Sequence, residues 1–267
     1  MMRSKQQRGF SLVELMVALL LGTLITAAAV QMFITNQRSF RLQQTMSEVQ
    51  ETGRFAAELI SKELRMAGLT RADGTESGGV IVASSYEGGT GATDNDELRF
   101  RFFGTMDCEG DQYTGANDDA LIENRYSVNA DGDLVCVGLI DANDDMAFSG
   151  GEVDTDGVTL VSNVDSFQVQ YGVDRAMTAG ATADDGVPYA GNYRRADQLT
   201  AGDLVVSVRI GLLVRASRDS DVQSETPRGF TVLDNELSGG TAPLDVQAVR
   251  RLFIRTIKLR NYRWDSV

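Results

Sequence analysis

The sequence predicts an α+β fold in which one long N-terminal α-helix packs on an antiparallel β-sheet domain. Three observations lead there. Residues 10–34 form an apolar run whose one ionisable side chain is Glu14. A helical period continues from that run to Gly68, and no proline interrupts residues 10–67. Beyond Gly68, short alternating segments are separated by glycine- and aspartate-rich clusters with no crossover helices between them. Such strands are expected to pair as antiparallel hairpins.

The first element begins with MMRSKQQRG, which holds Arg3, Lys5 and Arg8 and no acid. As a helix, the run from Leu15 to Ile34 spans ~30 Å, the thickness of a bilayer core. The basic residues precede it, so the positive-inside rule places the N-terminus in the cytoplasm and the rest of this single-pass chain outside. A secretory signal cleaved near Thr26-Ala27-Ala28-Ala29 and a plain signal-anchor are the competing readings. Residues 10–34 are thus assigned as the membrane half of the helix and residues 35–68 as its amphipathic half. In the latter, Leu42, Met46, Val49, Gly53, Ala56, Ile60, Leu64 and Ala67 fall within about 80° of arc. Arg54, Glu58 and Lys62 form i,i+4 opposite-charge pairs on the outer face. An apolar stripe of this kind suits a packed domain, with a coiled coil as the alternative. Gly68 is a helix stop, while Gly22 and Gly53 are candidate weak points.

Residues 69–267 are expected to form a β-rich globular domain on the periplasmic or extracellular side. Its strand candidates are Val80–Ala83, Glu97–Phe103, Ile122–Val128, Leu134–Leu139, Val158–Val161, Ser166–Tyr171, Leu204–Val214 and Leu252–Leu259. Segments 70–79, 86–96, 176–203 and 217–246 read as loops.

Composition limits the chemistry. Residues 69–200 carry 25 acidic and 7 basic side chains, in a chain of net charge −13. Such a region repels nucleic acid and anionic lipid. Histidine is absent, and no phosphate loop, nucleophile elbow or zinc-protease motif occurs. The sequence therefore argues against an enzyme, and no cofactor is required.

Two cysteines, Cys108 and Cys136, follow the apolar run. An even count in an oxidising compartment favours a disulfide, which by loop-closure entropy contributes about 3 kcal/mol. Two buried thiols are the alternative. Asp141, Asn143, Asp145 and Glu152 occupy positions 1, 3, 5 and 12 of an EF-hand-like spacing and are candidate Ca²⁺ ligands. Met146 stands where the loop's glycine belongs, and an acidic surface turn is the competing reading. Asn129-Ala130-Asp131-Gly132-Asp133 reads as a hairpin turn.

The string Gly9-Phe10-Ser11-Leu12-Val13-Glu14 resembles the prepilin motif shared by type IV pilins and type II secretion pseudopilins. The resemblance implies that residues 1–9 are a leader. A prepilin peptidase would cut after Gly9 and methylate the new amino terminus at Phe10. Glu14 would pair with the amine of a neighbouring subunit. A charge inside a bilayer is costly, and a desolvated partner offsets that cost. Snorkelling of Glu14 to the headgroups is the alternative.

Further blocks are similar to PilW-like minor pilins: Gly53-Arg54-Phe55-Ala56, Leu64 to Gly68, Val164 to Asp174, Val205 to Arg209, Leu212 to Arg215, and Leu259-Arg260-Asn261. This likeness implies a pilin-like fold and a structural subunit that helps initiate pilus assembly, supporting motility, adhesion or DNA uptake. The implied partners are prepilin peptidase, other minor pilins, the major pilin and a tip adhesin. The chain would sit in the inner membrane and then enter the pilus, without binding nucleic acid itself. A type II secretion pseudopilin and a membrane-tethered calcium- or ligand-binding module are the rival readings.

Overall fold

A computed structural model describes residues 9–78, 80–81, 95–115, 117–141, 143, 146, 148, 157–174, 189–200, 203–217, 228–240, 244 and 248–261. The chain divides into two compact units, Met1–Thr45 and Met46–Val267. Helix α1 covers Leu12–Leu64.

In the first unit the helix carries its apolar side chains outward: Leu19 is 64% and Ile25 70% exposed. Hydroxyls in this stretch are satisfied internally. Thr23 donates to the Leu20 carbonyl at 2.8 Å, Thr26 to Gly22 at 2.8 Å and Thr35 to Gln31 at 3.0 Å. Polar groups closed in this way can enter hydrocarbon without leaving a donor stranded. The helix is long and apolar enough to cross a membrane.

In the second unit, α1 buries Val49, Ala56, Ala57, Ile60 and Leu64. The apolar stripe starts later than its sequence period indicates, because Leu42 and Met46 are 40% and 43% exposed. The helix stops at Leu64, three residues before the expected end, and turns through Ala67 to Gly68 at φ +80°. The helix end is finished from far along the chain. The Asn261 side-chain amide donates to the carbonyls of Arg65, Met66 and Ala67 at 3.0, 3.3 and 3.3 Å. Those are carbonyls that a helix terminus leaves unpaired.

Two sheets supply the rest. The first has the order β1-β2-β3-β4-β5, built from β1 (Val80–Ile81), β2 (Leu98–Gly104), β3 (Ala120–Val128), β4 (Leu134–Ile140) and β5 (Val158–Val161). The second has the order β11-β8-β6-β7, with β6 (Val164–Asp174), β7 (Asn192–Arg194), β8 (Leu204–Arg215) and β11 (Arg250–Lys258). A hairpin of β9 (Phe230–Val232) and β10 (Asn235–Leu237) stands apart. Every strand pair among the described residues is antiparallel. The architecture is therefore the expected α+β one.

One core joins α1 to both sheets, through Ile60 and Leu64 from the helix, Phe100 and Tyr126 from the first sheet, and Phe167 and Ile210 from the second. A smaller cluster of Leu213, Val232, Leu237 and Leu244 lies under the hairpin. Gly53 is a packing device here, which corrects its reading as a weak point. A Cβ at that position would overlap the Phe253 ring from β11.

Three strands fall in segments read as loops. β7, β9 and β10 have three residues each, too few to show a period of two. The β9–β10 turn also lacks a glycine signal, since Leu233 itself adopts the left-handed conformation at φ +58°. Of the expected strand Val80–Ala83, residues 82 and 83 lie outside the described residues.

Candidate functional site

The N-terminal candidate site is linear. Residues 1–8 lie outside the described residues. Gly9 and Phe10 precede the helix, and Phe10 is 84% exposed. The Ser11 carbonyl accepts from Leu15 N–H at 3.1 Å, which makes Ser11 the residue flanking the first turn. Glu14 sits in that turn, where its negative charge opposes the positive end of the helix dipole. Ser11-Leu12-Val13-Glu14 also has the serine-to-glutamate spacing of a capping box, a signal that sequence reading passed over. The carboxylate thus suits the helix start even before any partner arrives.

The disulfide region is a buried polar cluster. Cys108 and Cys136 are bonded, with Cα atoms 6.3 Å apart. Asp107 shapes the turn beside them by accepting from the N–H groups of Glu109, Gly110 and Asp111 at 3.0, 3.0 and 2.9 Å. Cys108 N–H donates to Asn124 Oδ1 at 3.3 Å, and the Asn124 amide donates to Glu63 Oε2 at 3.0 Å. Burial pushes the carboxyls of Glu63 and Asp107 above the usual range. It pushes the Tyr126 hydroxyl well above its ordinary value, with the Glu63 charge adding to the effect. The cluster ties the end of α1, β3 and the disulfide loop together.

The EF-hand-like stretch closes on itself. Asp141 is 2% exposed and its carboxylate accepts from Asn143 N–H at 3.2 Å and Met146 N–H at 2.7 Å. Met146 takes up φ 60°, so it makes the turn expected of glycine. Asp145 and Glu152 lie outside the described residues. Among the described residues no group of three His, Cys, Asp or Glu side chains could hold a metal ion. The Asn129 to Asp133 string is the β3–β4 turn, closed by Asn129 N–H to the Asp133 carbonyl at 2.9 Å.

Two charge networks had little signal in sequence, because three of their four pairs form across strands and one within β3. Glu123, 1% exposed, meets Arg101 at 2.7 Å and Arg125 at 2.6 Å. Asp165 meets Arg215 at 2.8 Å and Arg250 at 2.6 Å, and all three side chains are buried.

Comparison with known proteins brings these features into a family. The sequence model described as the type IV pilus-assembly protein W matches residues 107–261. The prokaryotic N-terminal methylation motif matches residues 4–30. A type IV-like pilin from Thermus thermophilus is similar in structure, with a TM-score of 0.40 and 16% identity, over 83% of this chain and 98% of that one. No curated protein matches. With more than half of its length matched, the chain belongs to the type IV pilus-assembly protein W family of pilins.

Proposed function

We propose that the protein is a minor pilin, processed at its N-terminus and built into a type IV pilus, where it helps initiate assembly with other minor pilins. In this reading the leader ends at Gly9, and prepilin peptidase releases and methylates Phe10. Residues 10–34 hold the subunit in the inner membrane with the leader in the cytoplasm. The same apolar surface later packs against neighbouring helices in the fibre. Glu14 pairs there with the amine of an adjacent subunit, away from water, where such a pair is far stronger than on a surface.

The observation that supports this most is the first turn of α1: a carboxylate at Glu14 followed by an outward-facing apolar surface too large for a lone soluble subunit. The W-family match favours a pilus over a secretion apparatus, whose subunits share the same N-terminal motif. Mass spectrometry of sheared pili tests the proposal. An N-methyl-Phe10 peptide is the expected finding, and a mature chain that retains Met1–Gly9 would overturn it. Glu14→Ala should still be processed and membrane-bound but be depleted from pili.

A further inference from the structure

The outer face of the second sheet, the side that carries the β9–β10 hairpin, has an open polar groove. Its floor is a row of three residues in register across three strands: Gln170 of β6, Arg209 of β8 and Thr256 of β11. Two glycines shape its walls. A Cβ at Gly172 would lie 3.0 Å from the Tyr193 ring, so that ring rests directly on the sheet on one side. On the other side, a Cβ at Gly211 would lie 2.9 Å from Val232 Cγ1 and 3.0 Å from Leu233 Cγ, where the hairpin descends. Asn192 and Thr231 stand on the two rims.

Arg209 is the unusual member. Among the described residues of the second unit, the other arginines that are not solvent-exposed all meet a carboxylate. Arg71 meets Asp119, Arg99 meets Glu97, Arg101 and Arg125 meet Glu123, Arg194 meets Asp203, Arg195 meets Asp197, and Arg215 and Arg250 meet Asp165. Arg209 meets none, in a chain of net charge −13. Its guanidinium lies 3.6 Å from the centre of the Tyr193 ring, and its Nε donates to Thr256 Oγ1 at 3.3 Å. Stacking and that bond fix the plane of the group, while its other four N–H donors have no acceptor among the described residues. A guanidinium held flat with its donors open is built to receive a carboxylate.

The geometry points to this groove as a binding site for a small acidic sugar of the uronic acid type, its carboxylate on Arg209 and its hydroxyls on Gln170, Asn192, Thr231 and Thr256. The surroundings select that class. The floor is the face of a sheet whose backbone groups are consumed in strand pairing, so an extended peptide finds no main-chain partner. Amides and hydroxyls that both donate and accept suit a ring of hydroxyl groups. With Arg209 as the one charged residue of its lining, the groove accepts one carboxylate and offers a polyanion such as nucleic acid no second cation.

The test is a titration of the full chain in mild detergent with digalacturonate, followed by ligand-observed NMR. It reads binding directly and does not depend on pilus assembly. Saturable binding of digalacturonate, at least about tenfold tighter than of the neutral disaccharide lactose, is expected. Arg209→Gln should weaken it about tenfold or more, and the rim variant Asn192→Ala several-fold, with far-UV circular dichroism unchanged in both. Lack of saturation by about 10 mM, or equal binding by Arg209→Gln, overturns the proposal. A triglutamate peptide that binds as tightly as digalacturonate also overturns it, by making the site a peptide site.

Discussion

Replacing Gly53 by alanine sets two effects of opposite sign against each other. In a helix interior alanine is favoured over glycine by about 1 kcal/mol. Against this, the added methyl would overlap the Phe253 ring that packs on the Gly53 backbone. Overpacking a fitted contact costs about 1–3 kcal/mol, so the net expectation runs from near zero to a loss of about 2 kcal/mol. Phe253 is only partly buried and its ring can swing outward, which favours the lower half of that range. Urea unfolding of the full chain in mild detergent, followed by far-UV circular dichroism, measures the difference. The decisive comparison is with Phe253→Ala, in which the ring is gone. There Gly53→Ala should stabilise by the full ~1 kcal/mol, giving a coupling energy of at least about 1 kcal/mol in the double-mutant cycle. Stabilisation by the same amount in both backgrounds would show that the ring contact carries no energy.

Three other outcomes follow from the buried polar groups. Asp165→Ala leaves the guanidiniums of Arg215 and Arg250 buried without a counter-charge, and should cost about 3–5 kcal/mol in the same urea assay. Cys136→Ser removes a crosslink of sequence separation 28, and should cost about 3 kcal/mol, a loss matched in the parent chain by adding reductant. Glu63 gives a pH signature. Its folded value is raised by burial above 4.5, so the folded state holds the proton more tightly than the unfolded one. Stability from this group is then gained as pH falls through the raised value towards 4.5 and lost as pH rises. Glu63→Gln, which keeps an acceptor for the Asn124 amide, should raise Tm at pH 7, and its advantage should shrink on acidification. A gap that widens as pH falls would contradict the assignment.

The long helix and the N-terminal string were legible because each is written in adjacent residues: a period, a charge step and a short motif. Strands of seven residues or more were legible for the same reason, and their ends moved by three positions at most. The apolar stripe was misjudged at Leu42 and Met46, since a period continues in sequence whether or not a surface exists to receive it. Gly53 was misjudged in the opposite way. Helix propensity sees a missing side chain, and the structure uses that space for Phe253, two hundred residues away. Separation along the chain also hid the Asp165 network, whose arginines lie 50 and 85 residues away. Arg209 was hidden most deeply, because its distinguishing property is the lack of a carboxylate beside it among the described residues. That can be seen only once the partners of the other arginines are known.

The Asn261 amide on the carbonyls of Arg65, Met66 and Ala67 has a consequence for biosynthesis. A chain emerging N-terminus first makes the end of α1 long before Asn261, which lies 194 to 196 residues beyond the carbonyls it closes. Until Asn261 arrives, the carbonyls of Arg65 and Ala67 must be served by water, while that of Met66 accepts from Leu69 N–H at 2.9 Å. The β11 strand just before it forms an edge of its sheet, paired with β8. A product that stops short of Asn261 would therefore carry the whole of α1 and an unfinished helix end. Closure of the helix end thus reports that the chain has been made at least as far as Asn261.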